Sequence, residues 1–187
     1  MKVTPGPIPG LLMLEPEVHA DQRGHFVEVW HEERYRELGL PGFVQDNFAH
    51  SRRGVIRGLH FQHPHGQAKL VWAVSGSIYD VVVDIRVGSP TFGQCSTVTI
   101  SSTDARQLFI PPGFAHGYQV VSDGAAVAYK CDDYYRPEES RAVLWSDPDL
   151  AISWPIPDAI LVDRDRSALP LGKIPAGDLP RYAEPPE

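Results

Sequence analysis

The chain has 187 residues, 42% of them hydrophobic, which suffices for one domain with a sizeable buried core. Its formal net charge of −7 argues against nucleic acid or an anionic membrane surface as a partner, and its two cysteines, Cys95 and Cys131, form neither a disulfide framework nor a closely spaced metal pair. The apolar stretch Leu11 to Leu14 lies between Pro9 and Pro16 and fits neither a signal peptide nor a membrane span, so a cytoplasmic protein is expected.

In chain order, the first β-rich run is His25 to Trp30. A short helix, His31 to Leu38, follows and is stopped by Gly39 with Pro41 just beyond. Ala68 to Val74 and Ile78 to Ile85, joined through Ser75-Gly76-Ser77, predict a β-hairpin. Further runs at Thr97 to Ile100, Gln107 to Ile110, Gly117 to Val121 and Ala125 to Cys131 have turn residues between them. This spacing predicts an all-β sandwich or barrel with one peripheral helix. The 18 prolines are about twice the usual ~5% share, and many follow Trp154. The last thirty or so residues are therefore expected to wrap the domain without regular structure, and a single domain is expected over residues 1–187.

The acids are unevenly placed. From Asn47 to Tyr79 there is no Asp or Glu, where the composition would put about four, while the same stretch carries Arg52, Arg53, Arg57 and Lys69. A cleft lined this way would concentrate a small anion such as a phosphate or carboxylate. Arg52 and Arg53 themselves read as solvated. Asp80 and Asp84, inside a strand run, read as loop braces or partners of Arg86.

Three motifs lie in or after this basic stretch: GVIRGLHFQ (Gly54 to Gln62), QAKLV (Gln67 to Val71) and PPGFAHGY (Pro111 to Tyr118). They set Arg57, His60, Lys69 and His116 at spacings that read as one pocket. Gly54 with His60, and Pro111 and Gly113 with His116, keep the spacing by which cupin-type barrels hold a metal. However, Gln62 stands at the second histidine position and Lys69 at the glutamate position. A lysine ammonium has no lone pair to give and repels a divalent cation, so no metal is expected. His63 and His65 flank Pro64 and precede Gly66, and so read as a loop. Without a metal, an imidazole titrating near ~6.5 beside cations suits removal of a proton next to a carbonyl, with a cation stabilising the enolate.

At DQRGHFVE (Asp21 to Glu28), VQDNFAHSRRGVIRGLHFQ (Val44 to Gln62), QAKLVWAVSGSIYDVVVDIRVGSPTFG (Gln67 to Gly93), FIPPGFAHGYQVVSD (Phe109 to Asp123), AYKCDDYYRPEES (Ala128 to Ser140) and WSDPDLAISWP (Trp145 to Pro155), the chain closely resembles the dTDP-4-dehydrorhamnose 3,5-epimerases and related dTDP-4-keto-6-deoxyhexose epimerases. The resemblance implies a cupin-type jelly-roll β-barrel with one or two short peripheral helices and an irregular Pro-rich C-terminal segment. It also implies a cytoplasmic homodimer acting on a dTDP-4-keto-6-deoxyhexose without metal or organic cofactor. By position, His60 looks like the base that removes the C3 and C5 protons and Asp165 like its dyad partner, with Asp163 as the competing carboxylate. Lys69, helped by Arg57 and His116, would stabilise the C4 enolate oxygen, and Tyr129 would return the proton to the opposite face.

The same resemblance implies that Gln45, Asn47, Gln62 and Tyr135 line the sugar pocket, and that Arg23, Phe26 and Glu28 contact the nucleotide across a dimer. The activity it implies is inversion of C3 and C5 of dTDP-4-keto-6-deoxy-D-glucose to give dTDP-4-keto-L-rhamnose. The chain also departs from the family pattern. N-x-S-x-S reads Asn47-Phe48-Ala49-His50-Ser51, and Val162 stands where many relatives have serine. Loss of small hydroxyls at a pocket wall can reorient a keto sugar enough to change rates. A monofunctional 3- or 5-epimerase of an antibiotic deoxysugar pathway is therefore the alternative expectation.

Overall fold

The computed structural model describes residues 1–183 and is built almost entirely from β-strands; residues 184–187, the end of the Pro-rich segment, lie outside the described residues. In chain order the strands are β1 (Lys2–Pro5), β2 (Leu12–Glu15), β3 (Val18–Asp21), β4 (Gly24–Val27), β5 (Gln45–Arg52), β6 (Ile56–Gln62) and β7 (Lys69–Ser75). There follow β8 (Ser77–Asp84), β9 (Cys95–Ser101), β10 (Gln107–Ile110), β11 (Phe114–Val120), β12 (Gly124–Cys131) and β13 (Ser140–Ala142). Two short helices are α1 (Glu32–Glu37) and α2 (Asp163–Arg166). Among the described residues no helix is long and apolar enough to cross a membrane.

The strands form two facing sheets, a jelly-roll architecture. One has the order β1-β2-β10-β7-β12-β5, the other β13-β6-β11-β8-β9, and β3 with β4 makes a separate two-stranded ribbon. Period-two alternation decides which residues face inward. Val71, Ala73, Val82, Tyr118, Val120 and Val127 fill the space between the sheets with Phe114 and Ile100. A second cluster, including Leu59, Val81, Val83 and Ala115, lies on the outer face of the five-stranded sheet, where Leu150, Leu171 and Leu179 of the chain's last third cover it. A third packs Tyr35 of α1, with Leu40 and Trp30, against Leu14, Leu70 and Phe109 of the six-stranded sheet. There the Tyr35 hydroxyl donates to Gln107 Oε1 at 2.7 Å and the Gln107 amide donates to Val29 O at 2.7 Å, so the polar atoms under the helix are paired.

The expected helix is found over Glu32–Glu37, flanked by His31 and Leu38 and turned at Gly39, where φ is +82°. The predicted hairpin is not. β7 pairs with β10 and β12, whereas β8 pairs with β11 and β9, so Gly76 carries the chain from one sheet to the other. At the crossing Gly76 has φ of +71°, and a Cβ there would lie 2.1 Å from Gly124 O, so the turn is pressed against the start of β12 and requires glycine. The segment 154–183 is largely irregular as expected. It is tied down by isolated parallel bridges, Val55 to Ile160, Val143 to Leu169 and Val87 to Arg181.

The strand pair that carries the two pocket histidines approaches unusually closely. Gly58 has φ of +135°, and a Cβ on it would sit 2.5 Å from Gly117 Cα and 2.9 Å from His116 O. Gly58→Ala is therefore expected to force β6 from β11 and to cost about 1–3 kcal/mol or more. That corresponds to a fall of several degrees in thermal midpoint for a domain of this size. A midpoint within one degree of the parent chain would show that the sheet absorbs the methyl group.

Candidate active site

Residues of both sheets line a cavity of about 690 Å³. This is within the usual range for a small-molecule site. β6 and β11 of the five-stranded sheet supply Arg57, His60, Gln62 and His116 to one wall, and His60 and His116 are direct register partners. β5, β7 and β12 of the six-stranded sheet supply Gln45, Asn47, Lys69 and Tyr129 to the other, and Tyr129 is the register partner of both Asn47 and Val71. Tyr135 and Asp165 also line it, as do Arg52 and Arg164. Every residue expected in the catalytic group and the sugar pocket thus meets in one cavity. Its cations, Arg52, Arg57, Lys69 and Arg164, make it attractive to an anion despite the acidic chain.

His60 Nε2 lies 2.7 Å from Asp165 Oδ1. Asp165 is 3% exposed and its other carboxylate oxygen accepts from Gly58 N at 3.4 Å, whereas Asp163 is exposed; the structure thereby separates the two competing carboxylates. A buried carboxylate accepting from Nε2–H fixes the tautomer, leaves Nδ1 as the basic atom and supports the imidazolium formed when that atom takes a proton. His116 has a carboxylate of its own: Nε2 is 2.8 Å from Oδ2 of fully buried Asp80. Asp80 is thus neither a loop brace nor a partner of Arg86. Asp84 does pair with Arg86, at 2.6 Å. Burial alone would raise the Asp84 carboxyl, but donation from Arg86, Ser89 and Thr91 holds it at about 2.

Facing these histidines, Lys69 extends from the start of β7 with no hydrogen-bond partner among the described residues. Burial lowers its pKa from the usual lysine range, and the nearby Cys131 and Asp80 pull it partly back. Tyr129 stays a phenol because burial raises its pKa, with Cys131 adding to that and Arg57 opposing it. Arg57 is held by its Nε donating to Ser51 Oγ at 3.0 Å, and Gln45 Nε2 donates to Asn47 Oδ1 at 3.1 Å. Gln62 is committed elsewhere: its amide donates to the backbone of His65 and Tyr134 and accepts from Arg136 N, so it shapes the wall. His65 is bound to Glu139 at 2.7 Å.

Arg23, Phe26 and Glu28 do not reach this cavity. Arg23 and Phe26 sit on the β3–β4 ribbon, where Phe26 is 67% exposed and Arg23 pairs with Asp21; Glu28 pairs with Arg34. Of the arginines read as solvated, Arg52 stands at the cavity and Arg53 bonds Val121 O. Several cavity residues escaped the sequence reading, Arg164 and Tyr118 among them. The signal for Tyr118 was present, since two residues after His116 on a strand is the same face.

An imidazole backed by a carboxylate on one wall, with an ammonium and a phenol on the opposite wall, can remove a proton from one face of a carbon acid and return one to the other. The comparisons with known proteins agree with this chemistry. The family model for dTDP-4-dehydrorhamnose 3,5-epimerase matches residues 5–173. A dTDP-4-dehydrorhamnose 3,5-epimerase of Pseudomonas aeruginosa is 47% identical over 169 residues, covering 89% of this chain and 93% of its own length. A dTDP-4-dehydrorhamnose 3-epimerase of Streptomyces niveus is 41% identical over 187 residues, covering 98% of this chain and 90% of its own. The crystal structure of a dTDP-6-deoxy-D-glucose-3,5-epimerase from Legionella pneumophila, in complex with dTDP-4-keto-L-rhamnose, matches with a TM-score of 0.95 at 46% identity, over 97% of this chain and 98% of that one.

Proposed function

Because this chain belongs to the dTDP-4-dehydrorhamnose 3,5-epimerase family, an isomerase family, we propose that its cavity takes dTDP-4-keto-6-deoxy-D-glucose and inverts C3 and C5 to give dTDP-4-keto-L-rhamnose. His60 Nδ1 removes the proton from C3, and the electron pair moves through C4 onto the ketone oxygen. Lys69, with Arg57 and His116, stabilises that enolate oxygen. The Tyr129 hydroxyl then delivers a proton to the opposite face of C3, and the resulting phenolate is reprotonated from solvent. His60 gives its proton up to solvent, which restores the base, and the same sequence repeats at C5. The observation that carries this reading is the division of labour between the walls: His60, backed by Asp165 of α2, is on one sheet and Lys69 and Tyr129 are on the other, so base and acid approach a sugar held between them from opposite sides.

In this reading the chain works as one domain in a cytoplasmic homodimer, without metal or organic cofactor. Exposure of Phe26 and Val18 on the β3–β4 ribbon supports a role for that ribbon in the partner's site, where Arg23, Phe26 and Glu28 would meet the nucleotide.

Incubation with the 4-keto sugar nucleotide in heavy water tests the reaction. Deuterium at both C3 and C5 is expected. Label at one carbon would favour a monofunctional epimerase, a reading supported by Ala49, which presents a methyl group to the cavity where the family pattern has serine. No label would reduce the site to a binding pocket. Tyr129→Phe is expected to retain exchange while losing most inversion, a fall of roughly 10²-fold in product formation. Full inversion by this variant would remove Tyr129 from the mechanism.

A further inference from the structure

Gln119 has no part in the reaction as written, yet it is fully buried on the outer face of the five-stranded sheet. It lies on β11 between Tyr118 and Val120, which point the other way into the apolar layer between the sheets, and its register partner Tyr79 packs against the outer cluster. Burying an amide among apolar side chains is costly unless both of its ends are paired. Here both ends are paired to one residue. Gln119 Nε2 donates to Ile156 O at 2.8 Å, and Gln119 Oε1 accepts from Ile156 N at 2.9 Å. Ile156 stands between Pro155 and Pro157, neither of which has a backbone N–H, so no regular ladder can hold this stretch. The side-chain amide takes the place of a neighbouring strand.

We infer that Gln119 is a positioning residue for the His60–Asp165 pair, because it clamps the segment that brings the carboxylate to the imidazole. The inference rests on the proposed epimerase reading. The segment crosses the outer face of the sheet along one line of register partners, Tyr79 of β8, Gln119 of β11 and Ile56 of β6. The Trp154 ring packs edge-on to Tyr79 at 6.2 Å, Ile156 is held by Gln119, and Ile160 O accepts from Ile56 N at 2.9 Å. Further on, Asp165 meets His60 Nε2 and Gly58 N, both of β6. Apolar contact such as that of Trp154 has no preferred direction and tolerates sliding, whereas a pair of hydrogen bonds selects one residue and one alignment. Gln119 therefore sets the register of the crossing. A misplacement of about 1 Å in a reacting constellation can cost about 10²-fold in rate, so this register matters at His60.

Gln119→Met keeps the volume and removes both bonds. The expected result is a fall of about 10- to 10²-fold in kcat for deuterium incorporation at C3 and C5, with KM and dTDP affinity unchanged. Hydrogen exchange followed by mass spectrometry should show faster exchange of the backbone amides of residues 158–167, while β8, β11 and β12 keep the parent's protection. Ile156→Pro deletes the N–H from the other side of the clamp, leaves the barrel strands unaltered and is expected to lower kcat in the same way. Incorporation within about twofold of the parent in either variant would overturn the assignment. Faster amide exchange throughout the chain in both variants would overturn it too, since Gln119 would then support the whole fold and not the placing of Asp165. Absence of incorporation by the parent chain would remove the epimerase reading and this inference together, whereas undiminished incorporation by the variants removes this inference alone.

Discussion

Replacing His60 with alanine is expected to reduce deuterium exchange at C3 and C5 by 10⁴-fold or to the background rate, the upper end of what one positioned base contributes. His60 Nε2 is paired with Asp165, which leaves Nδ1 as the atom proposed to take the carbon-bound proton. dTDP affinity should be unchanged, since the proposed nucleotide contacts, Arg23, Phe26 and Glu28, lie outside this cavity. Stability should fall by about 1–3 kcal/mol, because Asp165 remains buried with only the long bond from Gly58 N. Calorimetry with dTDP and exchange followed by NMR separate these effects, and an active alanine variant would refute His60 as the base.

The second large effect is expected at Lys69. Lys69→Met preserves an unbranched chain and deletes the ammonium, so kcat should drop by about 10²–10³-fold through loss of a charge at the enolate oxygen. The fold should be retained, because the variant no longer buries a charge at the head of β7. The pH dependence has a definite sign. The folded-state pKa of Lys69 lies below the usual 10.5, so in the alkaline window just under that value the unfolded chain holds the proton more tightly. There the Lys69 contribution makes stability rise with pH while activity falls as the ammonium is lost. Lys69→Met should abolish that component of the stability profile, as thermal midpoints across the window would reveal.

Much of the barrel was legible from local pattern. Gln107 to Ile110 and Ala125 to Cys131 are apolar, bounded by turn residues, and form strands with those ends or within one residue of them. The short strands β1, β2 and β3 were not legible, because four-residue segments next to Pro5, Pro9 and Pro16 carry too little periodicity to stand out from loop. Nor could local sequence decide which sheet a strand joins. The run from Lys69 through Gly76 to Asp84 looks like a hairpin, and it is the distant partners, β12 for β7 and β11 for β8, that place the two strands in different sheets. The site divides in the same way. His60, Lys69 and His116 stand in spaced motifs and were visible, while the pairing of Asp80 with His116 spans 36 residues and depends on β8 and β11 becoming neighbours.

The His60–Asp165 contact joins positions 105 apart, and the carboxylate arrives on a four-residue helix held to the barrel by single bridges such as Val55 to Ile160. The barrel can therefore be whole, with its cavity formed and its cations in place, and still hold an unsupported imidazole if this terminal strap is undocked. In the proposed mechanism, competence then depends on the docking of this segment, and a barrel that bound the keto sugar with the segment undocked is expected not to epimerise it.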